Sequence, residues 1–200
     1  FAKHWIKPIQ KSQSKILNIP SYTVNVVPEN TDYIIIGSSE YETNLMPLIN
    51  LRTNSFDEPL NTYFASTDSI FQVYSNGNLD AQAIKDFLYD ALSLADELTF
   101  GLLVGDIPNL PTLYEGDYAS DDLFATFNGG IPEIALGRFP AKTSGDVQAF
   151  VDKVIQYETD PKYGLWRQRI ILVADDEARP FANDTSHTSH SEELAQIIPP

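Results

Sequence analysis

Short runs of mostly apolar residues alternate along the chain with longer stretches in which apolar residues recur at helical spacing. The runs lie at residues 33–37, 98–106, 131–139 and 169–174, and a weaker one spans residues 64–74. A strand that is apolar along its length is buried on both faces, which is typical of a parallel sheet. We therefore predict buried strands at these places.

The stretches between the runs are predicted to be helices. In two of them the apolar residues form one stripe, and each stripe follows a good capping residue, Asp80 in the first and Thr143 in the second. Pro47 fits a further helix only if it lies in the first turn, where its missing N–H is not needed. The predicted helices span residues 40–52, 80–97, 143–157 and 187–198.

This alternation predicts the fold class. Strands that alternate with helices form α/β folds, in which a mostly parallel sheet is flanked by helices. Residues 1–28 differ, because they contain short β-prone runs that end in proline. We interpret them as the end of a preceding β-rich region or a linker. Ligands of parallel sheets bind at the carboxyl ends of the strands, which here follow Gly37, Gly105, Phe139 and Ala174.

Composition narrows the classes of partner. The chain has 200 residues, with 13 Lys and Arg against 28 Asp and Glu, and its formal net charge is -15. Nucleic acid is excluded as a partner, because phosphate binding relies on Lys and Arg that displace counterions. The acidic surface suits a secreted protein, a Ca²⁺ binder or a basic substrate, and simple solubility is the plainer alternative. No apolar run reaches the roughly 20 residues of a membrane-spanning helix, so no transmembrane segment is predicted in this chain.

The chain contains no cysteine. Disulfides, thiolate metal sites and a thiol nucleophile are therefore excluded from this stretch of sequence. The glycines form neither G-x-G-x-x-G nor a P-loop, so nucleotide binding has no support. Ser38 and Ser39 follow a predicted strand but lack the G-x-S-x-G pattern of a serine hydrolase.

Three carboxylates are bunched in a predicted polar loop, and they form the first candidate site. Asp117, Asp121 and Asp122 lie within six residues of one another, and Ca²⁺ prefers several oxygen ligands at short range. The twelve-residue calcium loop with its terminal Glu is absent. We predict a structural Ca²⁺ at these three residues, and the alternative is that Asp121 and Asp122 cap a turn or pair with Arg138.

A second polar cluster precedes and begins the last predicted helix. His187, His190 and Glu193 are spaced by three residues and would share one helix face. A zinc site needs three or more converging ligands, and the H-E-x-x-H pattern is absent. Three interpretations stay open, namely a metal site, one wall of a substrate cleft, and a solvated helix start. The cluster comprises Asp175, Asp176, Glu177, Asp184, His187, His190 and Glu193.

Several short motifs combine into a resemblance to a known family. They are a strand ending in VGD, the turn YASDDLF, the strand IPEIALGRFP, the helix segment VDKVIQYE, and WRQRI followed by VADDE. In this combination, between residues 98 and 177, the chain resembles the gingipain-type cysteine peptidases. It is most similar to the large cell-surface members associated with the type IX secretion system of Bacteroidetes. The resemblance extends over residues 29–198.

The resemblance implies a caspase-like α/β domain built from two sub-domains. Residues 29–166 are expected to form the first, which is mainly scaffold, and residues 167–200 to begin the second. In the family the second sub-domain supplies a catalytic His and Cys, on G-H-G-like and Cys-bearing segments expected downstream of this chain. His187 and His190 are not in a G-H-G context, so no catalytic residue is assigned here.

The resemblance also points to substrate-binding residues. In gingipains, the loop before the last helix provides an acidic residue to the pocket for the basic P1 side chain. With a gap of one residue, His187 falls at that place and Asp184 lies nearby. We therefore predict Asp184 and His187 to be substrate-binding, and the His argues against a strict preference for Arg or Lys.

The function implied is that of a secreted or cell-surface cysteine endopeptidase that acts on polypeptides by thiolate acyl transfer. If an amine resolves the thioester, the enzyme is sortase-like. No cofactor is required apart from a structural Ca²⁺, and the expected partners are other domains of the same polypeptide. Two other hypotheses stay open. One is a non-catalytic cell-surface scaffold or binding module of the same fold, and the other is a Ca²⁺-stabilised domain similar to response regulators.

Overall fold

The computed structural model of the chain describes residues 27–55, 57–174 and 186–198. The chain divides into two compact units, with the border between Asp160 and Pro161. The described strands are β1 (Tyr33–Gly37), β2 (Thr62–Ser66), β3 (Phe100–Val104), β4 (Leu113–Glu115), β5 (Tyr118–Ser120) and β6 (Ala135–Phe139). The described α-helices are α1 (Glu42–Thr53), α2 (Thr67–Tyr74), α3 (Ala81–Leu94), α4 (Asp122–Ala125), α5 (Ser144–Thr159) and α6 (Ser186–Ile197).

The first unit is built on a four-stranded sheet with the strand order β2-β1-β3-β6. All neighbouring strands of this sheet run parallel, so each connection crosses from one end of the sheet to the other. A separate antiparallel pair, β4 and β5, forms a small hairpin. The predicted α/β class with a mostly parallel sheet is confirmed.

Both faces of the sheet are covered, and β1 shows why its sequence is apolar throughout. Ile34 and Ile36 point into a core formed with α2, α3 and α4. Ile35 points the other way, into a core formed with α1 and α5. All three side chains are fully buried. Burying each such side chain contributes about 1.5–3 kcal/mol, so a polar residue at any of the three positions would destabilise the sheet.

Helices α3 and α5 begin directly after the capping residues that the sequence indicated. The Asp80 side chain accepts a hydrogen bond from the N–H of Gln82 at the start of α3. At the start of α5, the Thr143 hydroxyl accepts from the N–H of Asp146, whose carboxylate accepts in return from the N–H of Thr143. Such a capping box satisfies backbone donors that a helix leaves open at its first turn.

Two local predictions are wrong. Residues 64–74 are not one strand, because β2 ends at Ser66 and α2 begins at Thr67. The Ser66 hydroxyl accepts from the N–H of Asp68 and so caps the new helix. Pro47 lies inside α1 beyond its first turn, where it leaves the carbonyl of Thr43 without its usual helical donor.

The strand predicted at residues 169–174 is not formed. In the second unit these residues have no regular secondary structure, and Ile170, Ile171 and Val173 are 62%, 74% and 86% exposed. The prediction of a buried strand at residues 169–174 is therefore wrong. A strand exists only through hydrogen bonds to a neighbouring strand, and β-propensity depends on that context.

The second unit contains a short 3₁₀ turn, Leu165–Gln168, and helix α6. Helix α6 corresponds to the last predicted helix. Among the described residues, no helix has the length and apolar character needed to cross a lipid bilayer.

Candidate functional site at the carboxyl edge of the sheet

The strand order produces a topological switch point at the carboxyl edge of the sheet. From β1 the chain moves to β2 on one side, and it then crosses back to β3 on the other side. At such a switch point the connections leave two adjacent strands in opposite directions, which opens a crevice where ligands of parallel sheets bind. Here the crevice lies between the ends of β1 and β3, where Gly37 is paired with Val104.

The loop after β1 is tied to the start of α2. The Ser39 hydroxyl donates to Asp68 Oδ2 at 2.6 Å, and the Ser39 N–H donates to the same oxygen at 3.2 Å. The Ser66 hydroxyl donates to it as well, at 3.3 Å. The hydrogen bond from the Ser39 hydroxyl is the largest cause that lowers the pKa of Asp68, because it stabilises the ionised carboxylate.

The loop after β3 forms the other side of the crevice. It begins at Gly105, whose N–H donates to the carbonyl of Phe139 on β6. The N–H groups of Asn109 and Leu110 both donate to the carbonyl of Asp106, at 3.0 and 2.7 Å, and close the loop on itself. The Asn109 amide donates to Asp106 Oδ1 at 2.7 Å. The side chains of residues 107–109 are exposed, whereas Leu110 is buried.

The charge at this edge is negative. Tyr41 follows the loop after β1 and is only 1% exposed. Burial raises the pKa of its hydroxyl, and the neighbouring carboxylates of Glu40, Asp106 and Asp146 raise it further. These carboxylates, which follow β1 and β3 and begin α5, therefore act together near the Tyr41 hydroxyl, and negative charge favours cations over anions.

Among the described residues of the first unit, Ser39 is the hydroxyl residue of the loop after β1 whose surroundings bear on catalysis. The described residues of the first unit include neither His nor Cys, so no imidazole within that part of the chain can remove the Ser39 proton, and the Ser39 hydroxyl donates to Asp68. Chemically, this arrangement can bind and orient a cationic or peptide group. The chain contains no cysteine, so it supplies no thiol nucleophile.

The three residues of the predicted calcium site are distributed over the hairpin and α4. Asp117 lies in the turn between β4 and β5, Asp121 follows β5, and Asp122 is the first residue of α4. Asp121 forms a bidentate ion pair with Arg138, at 2.7 and 2.8 Å, and accepts from the Thr112 hydroxyl at 3.1 Å. The pairing with Arg138 that the sequence left open is confirmed. Within the described ranges, no three His, Asp or Glu side chains are placed to hold a metal ion.

The predicted substrate-binding residues belong to the second unit. Asp184 lies outside the described residues, as do Asp175, Asp176 and Glu177. His187 and His190 are exposed on helix α6, and so is Glu193. Their assignment to a substrate cleft stays a prediction.

Sequence reasoning did not identify Ser39, Asp68 and Asp106 as site residues. A signal was available for two of them, because Ser39 and Asp106 lie at the carboxyl ends of predicted strands that are neighbours in a sheet of this order. Asp68 could not be found in this way, because the pattern of residues 64–74 indicates a single strand.

Residues 27–200 match the model of peptidase family C25. Among characterised proteins, gingipain R2 of Porphyromonas gingivalis is 25% identical over 185 residues. This alignment covers 88% of the present chain and 24% of gingipain R2. Gingipain R1 of the same organism is 24% identical over 185 residues, which are 88% of this chain and 18% of that protein. The chain therefore spans about a quarter or less of the length of these relatives.

Solved structures give the same fold. The Arg-specific cysteine proteinase gingipain R (RgpB) superimposes with a TM-score of 0.63 at 24% identity, covering 84% of this chain and 38% of the other. Dimeric latent PorU from Porphyromonas gingivalis superimposes with a TM-score of 0.53 at 22% identity, covering 73% of this chain and 17% of the other.

Proposed function

The chain belongs to peptidase family C25, and on that premise we propose that it forms part of a cysteine endopeptidase that acts by acyl transfer. The observation that carries the proposal is the match to this family over residues 27–200. The parallel sheet with its switch-point crevice supports it, because this is where α/β folds bind ligands.

The proposed reaction needs a Cys and a His from outside this chain. The His removes the thiol proton, and the thiolate attacks the carbonyl carbon of the scissile peptide bond while backbone N–H groups hold the oxyanion. The C–N bond then breaks, and the His gives its proton to the leaving amine. Water resolves the thioester and releases the acid, or an amine resolves it in a sortase-like transfer.

The present chain contributes the scaffold and part of the substrate-binding surface. The acidic crevice between β1 and β3 suits a polypeptide that carries basic side chains. Asp184 and His187 are also proposed to be substrate-binding residues. We place the protein outside the cell or on the bacterial cell surface, together with further domains of the same polypeptide.

The test uses the full-length protein that contains this chain. We expect its sequence to carry a G-H-G segment and a Cys beyond Pro200, and a peptidyl acyloxymethyl ketone to label that Cys covalently. Exchange of this Cys for Ser should abolish both labelling and the cleavage of labelled casein. If the downstream sequence has neither group, the enzyme assignment fails, and the absence of Cys from this chain then favours the non-catalytic scaffold of the same fold.

The structural Ca²⁺ at Asp117, Asp121 and Asp122 is a separate prediction. If it binds, the melting temperature rises with added Ca²⁺ and falls again with a chelator. A melting temperature that neither treatment changes would contradict it.

A further inference from the structure

Arg138 connects the two ends of the loop after β3, residues 105–110, which we call the crevice loop. Its NH1 group donates to the carbonyl of Gly105 at 2.9 Å and to the carbonyl of Leu110 at 2.8 Å. Its Nε and NH2 groups donate to the carboxylate of Asp121 at 2.7 and 2.8 Å. The guanidinium therefore joins β6, both ends of the loop, and the residue after β5.

This guanidinium is well placed to fix geometry rather than only to add stability. The Arg138 side chain is 11% exposed and that of Asp121 is 27% exposed, so the pair is largely withdrawn from water. Hydrogen bonds to charged groups are strong and directional in such surroundings. The net stabilisation by a buried ion pair is nevertheless small, because desolvation offsets much of the attraction.

The loop between the two bound carbonyls has little freedom of its own. Gly105 has φ +150°, and a Cβ at this position would lie 3.0 Å from the Cβ of Leu110. Leu110 is buried, whereas residues 107–109 are exposed at the carboxyl edge. With both ends held by one planar group, the exposed residues of this loop keep a fixed position beside the crevice.

We propose that Arg138 is a positioning residue for the substrate, which it orients indirectly by holding the loop of residues 105–110 as one wall of the crevice. This inference rests on the proposed peptidase function. Arg is required because a planar fork can bind a carboxylate and two carbonyls at once, whereas the single ammonium of Lys cannot.

The structure offers a matched control in Arg52. It also forms a bidentate pair with a carboxylate, that of Glu158, and its NH2 group donates at 2.8 Å. Arg52 lies beside Tyr33 at the amino end of β1, which is the opposite edge of the sheet from the crevice. Arg52→Gln therefore removes an ion pair of the same type without touching the crevice loop.

The experiment compares Arg138→Gln, Arg138→Lys and Arg52→Gln in the full-length protein. We measure melting temperature together with kcat and KM for cleavage of fluorescein-labelled casein. For Arg138→Gln we expect KM to rise roughly tenfold, the scale of one lost charged hydrogen bond, with kcat within about twofold of the unaltered value. Arg138→Lys should keep a melting temperature close to that of the unaltered protein, because the charge opposite Asp121 is retained, and yet leave KM raised.

Two results would overturn the positioning role. One is an equal KM for Arg138→Gln and Arg52→Gln, and the other is a normal KM for Arg138→Lys. If the unaltered protein neither cleaves casein nor reacts with the acyloxymethyl ketone, the peptidase function itself fails, and the positioning role fails with it. If the unaltered protein cleaves casein, the peptidase function stands, and only the KM values of the variants decide the positioning role.

Discussion

The hydroxyl of Ser39 donates a 2.6 Å hydrogen bond to Asp68 Oδ2, and so links the loop after β1 to the first turn of α2. The two residues are separated by 29 positions in the sequence but follow strands that are neighbours in the sheet. The hydrogen bond therefore fixes the loop after β1, which borders the crevice, and it is stronger when Asp68 is ionised.

This dependence predicts how Asp68 affects stability with pH. Its pKa is lowered from 3.8 in the folded state, chiefly by the Ser39 hydroxyl. The carboxylate therefore stabilises the fold above pH 3.8, and this contribution disappears as the pH falls through the lower folded pKa. Because Asp68 is exposed, the effect should be small, about 0.5 kcal/mol.

The free energy of urea unfolding, measured from neutral pH into acid, tests this expectation. Asp68→Asn should flatten the acid limb of the curve, and Ser39→Ala should flatten it in part. Asp152→Asn, which removes an exposed carboxylate from α5, is the control. Identical acid limbs in Asp68→Asn and Asp152→Asn would contradict the assignment.

Thr143 should matter more to α5 than another threonine of the same helix. Thr143→Ala removes the capping hydroxyl and should lower the free energy of unfolding by about 1 kcal/mol. The hydroxyl of Thr159 only donates to the carbonyl of Ile155 near the helix end, so Thr159→Ala should cost about 0.3 kcal/mol or less. Equal losses in chemical denaturation would contradict a larger contribution of the capping hydroxyl than of the Thr159 hydroxyl.

Two glycines with positive φ should respond differently to alanine. Gly116 has φ +60°, and a Cβ there would meet open space, so Gly116→Ala should cost only the backbone penalty of about 1 kcal/mol. At Gly105 the added Cβ would also lie 3.0 Å from the Cβ of Leu110, which is too close. We therefore expect Gly105→Ala to lower the free energy of unfolding by about 2–4 kcal/mol. Thermal unfolding of the two variants measures the difference, which would vanish if the loop after β3 could shift freely.

Tyr74 should resist deprotonation in alkaline solution. Burial raises its pKa well above 10, and the hydrogen bond that its hydroxyl donates to Asp90 at 2.8 Å raises it further. The neutral phenol thus stabilises the fold fully below pH 10, and the contribution is lost as the pH rises through the higher folded pKa. Tyr74→Phe should leave the phenolate absorbance at pH 10–11 unchanged, because Tyr74 is still protonated there. A clear decrease would show that Tyr74 titrates normally.

Strands of the sheet were predictable where the composition of the segment alone indicates that it is buried. Residues 33–37 form a buried strand in any α/β arrangement because each side chain is suited to a core. Asp80 and Thr143 were predictable for a similar reason, since a cap acts on the residues that directly follow it. In these cases the information is local in the sequence.

Features that depend on distant partners were harder to predict. The segment at residues 169–174 is as apolar as β1, but a strand also needs a hydrogen-bonded neighbour, and its own sequence does not show whether one is present. The pairing of Asp121 with Arg138 was considered only as an alternative to a structural Ca²⁺ site. The contact of Ser39 with Asp68 was not predicted, because neither residue lies in a recognisable motif and only the strand order brings them together.

The central place of β1 in the sheet has a consequence for biosynthesis. A nascent chain that has emerged only as far as β2 can pair one side of β1, while the other side waits for residues 100–104. Contacts between residues far apart in sequence form slowly. During translation, β1 is therefore half-paired until β3 leaves the ribosome, and a chaperone that shields extended apolar segments would act in this interval.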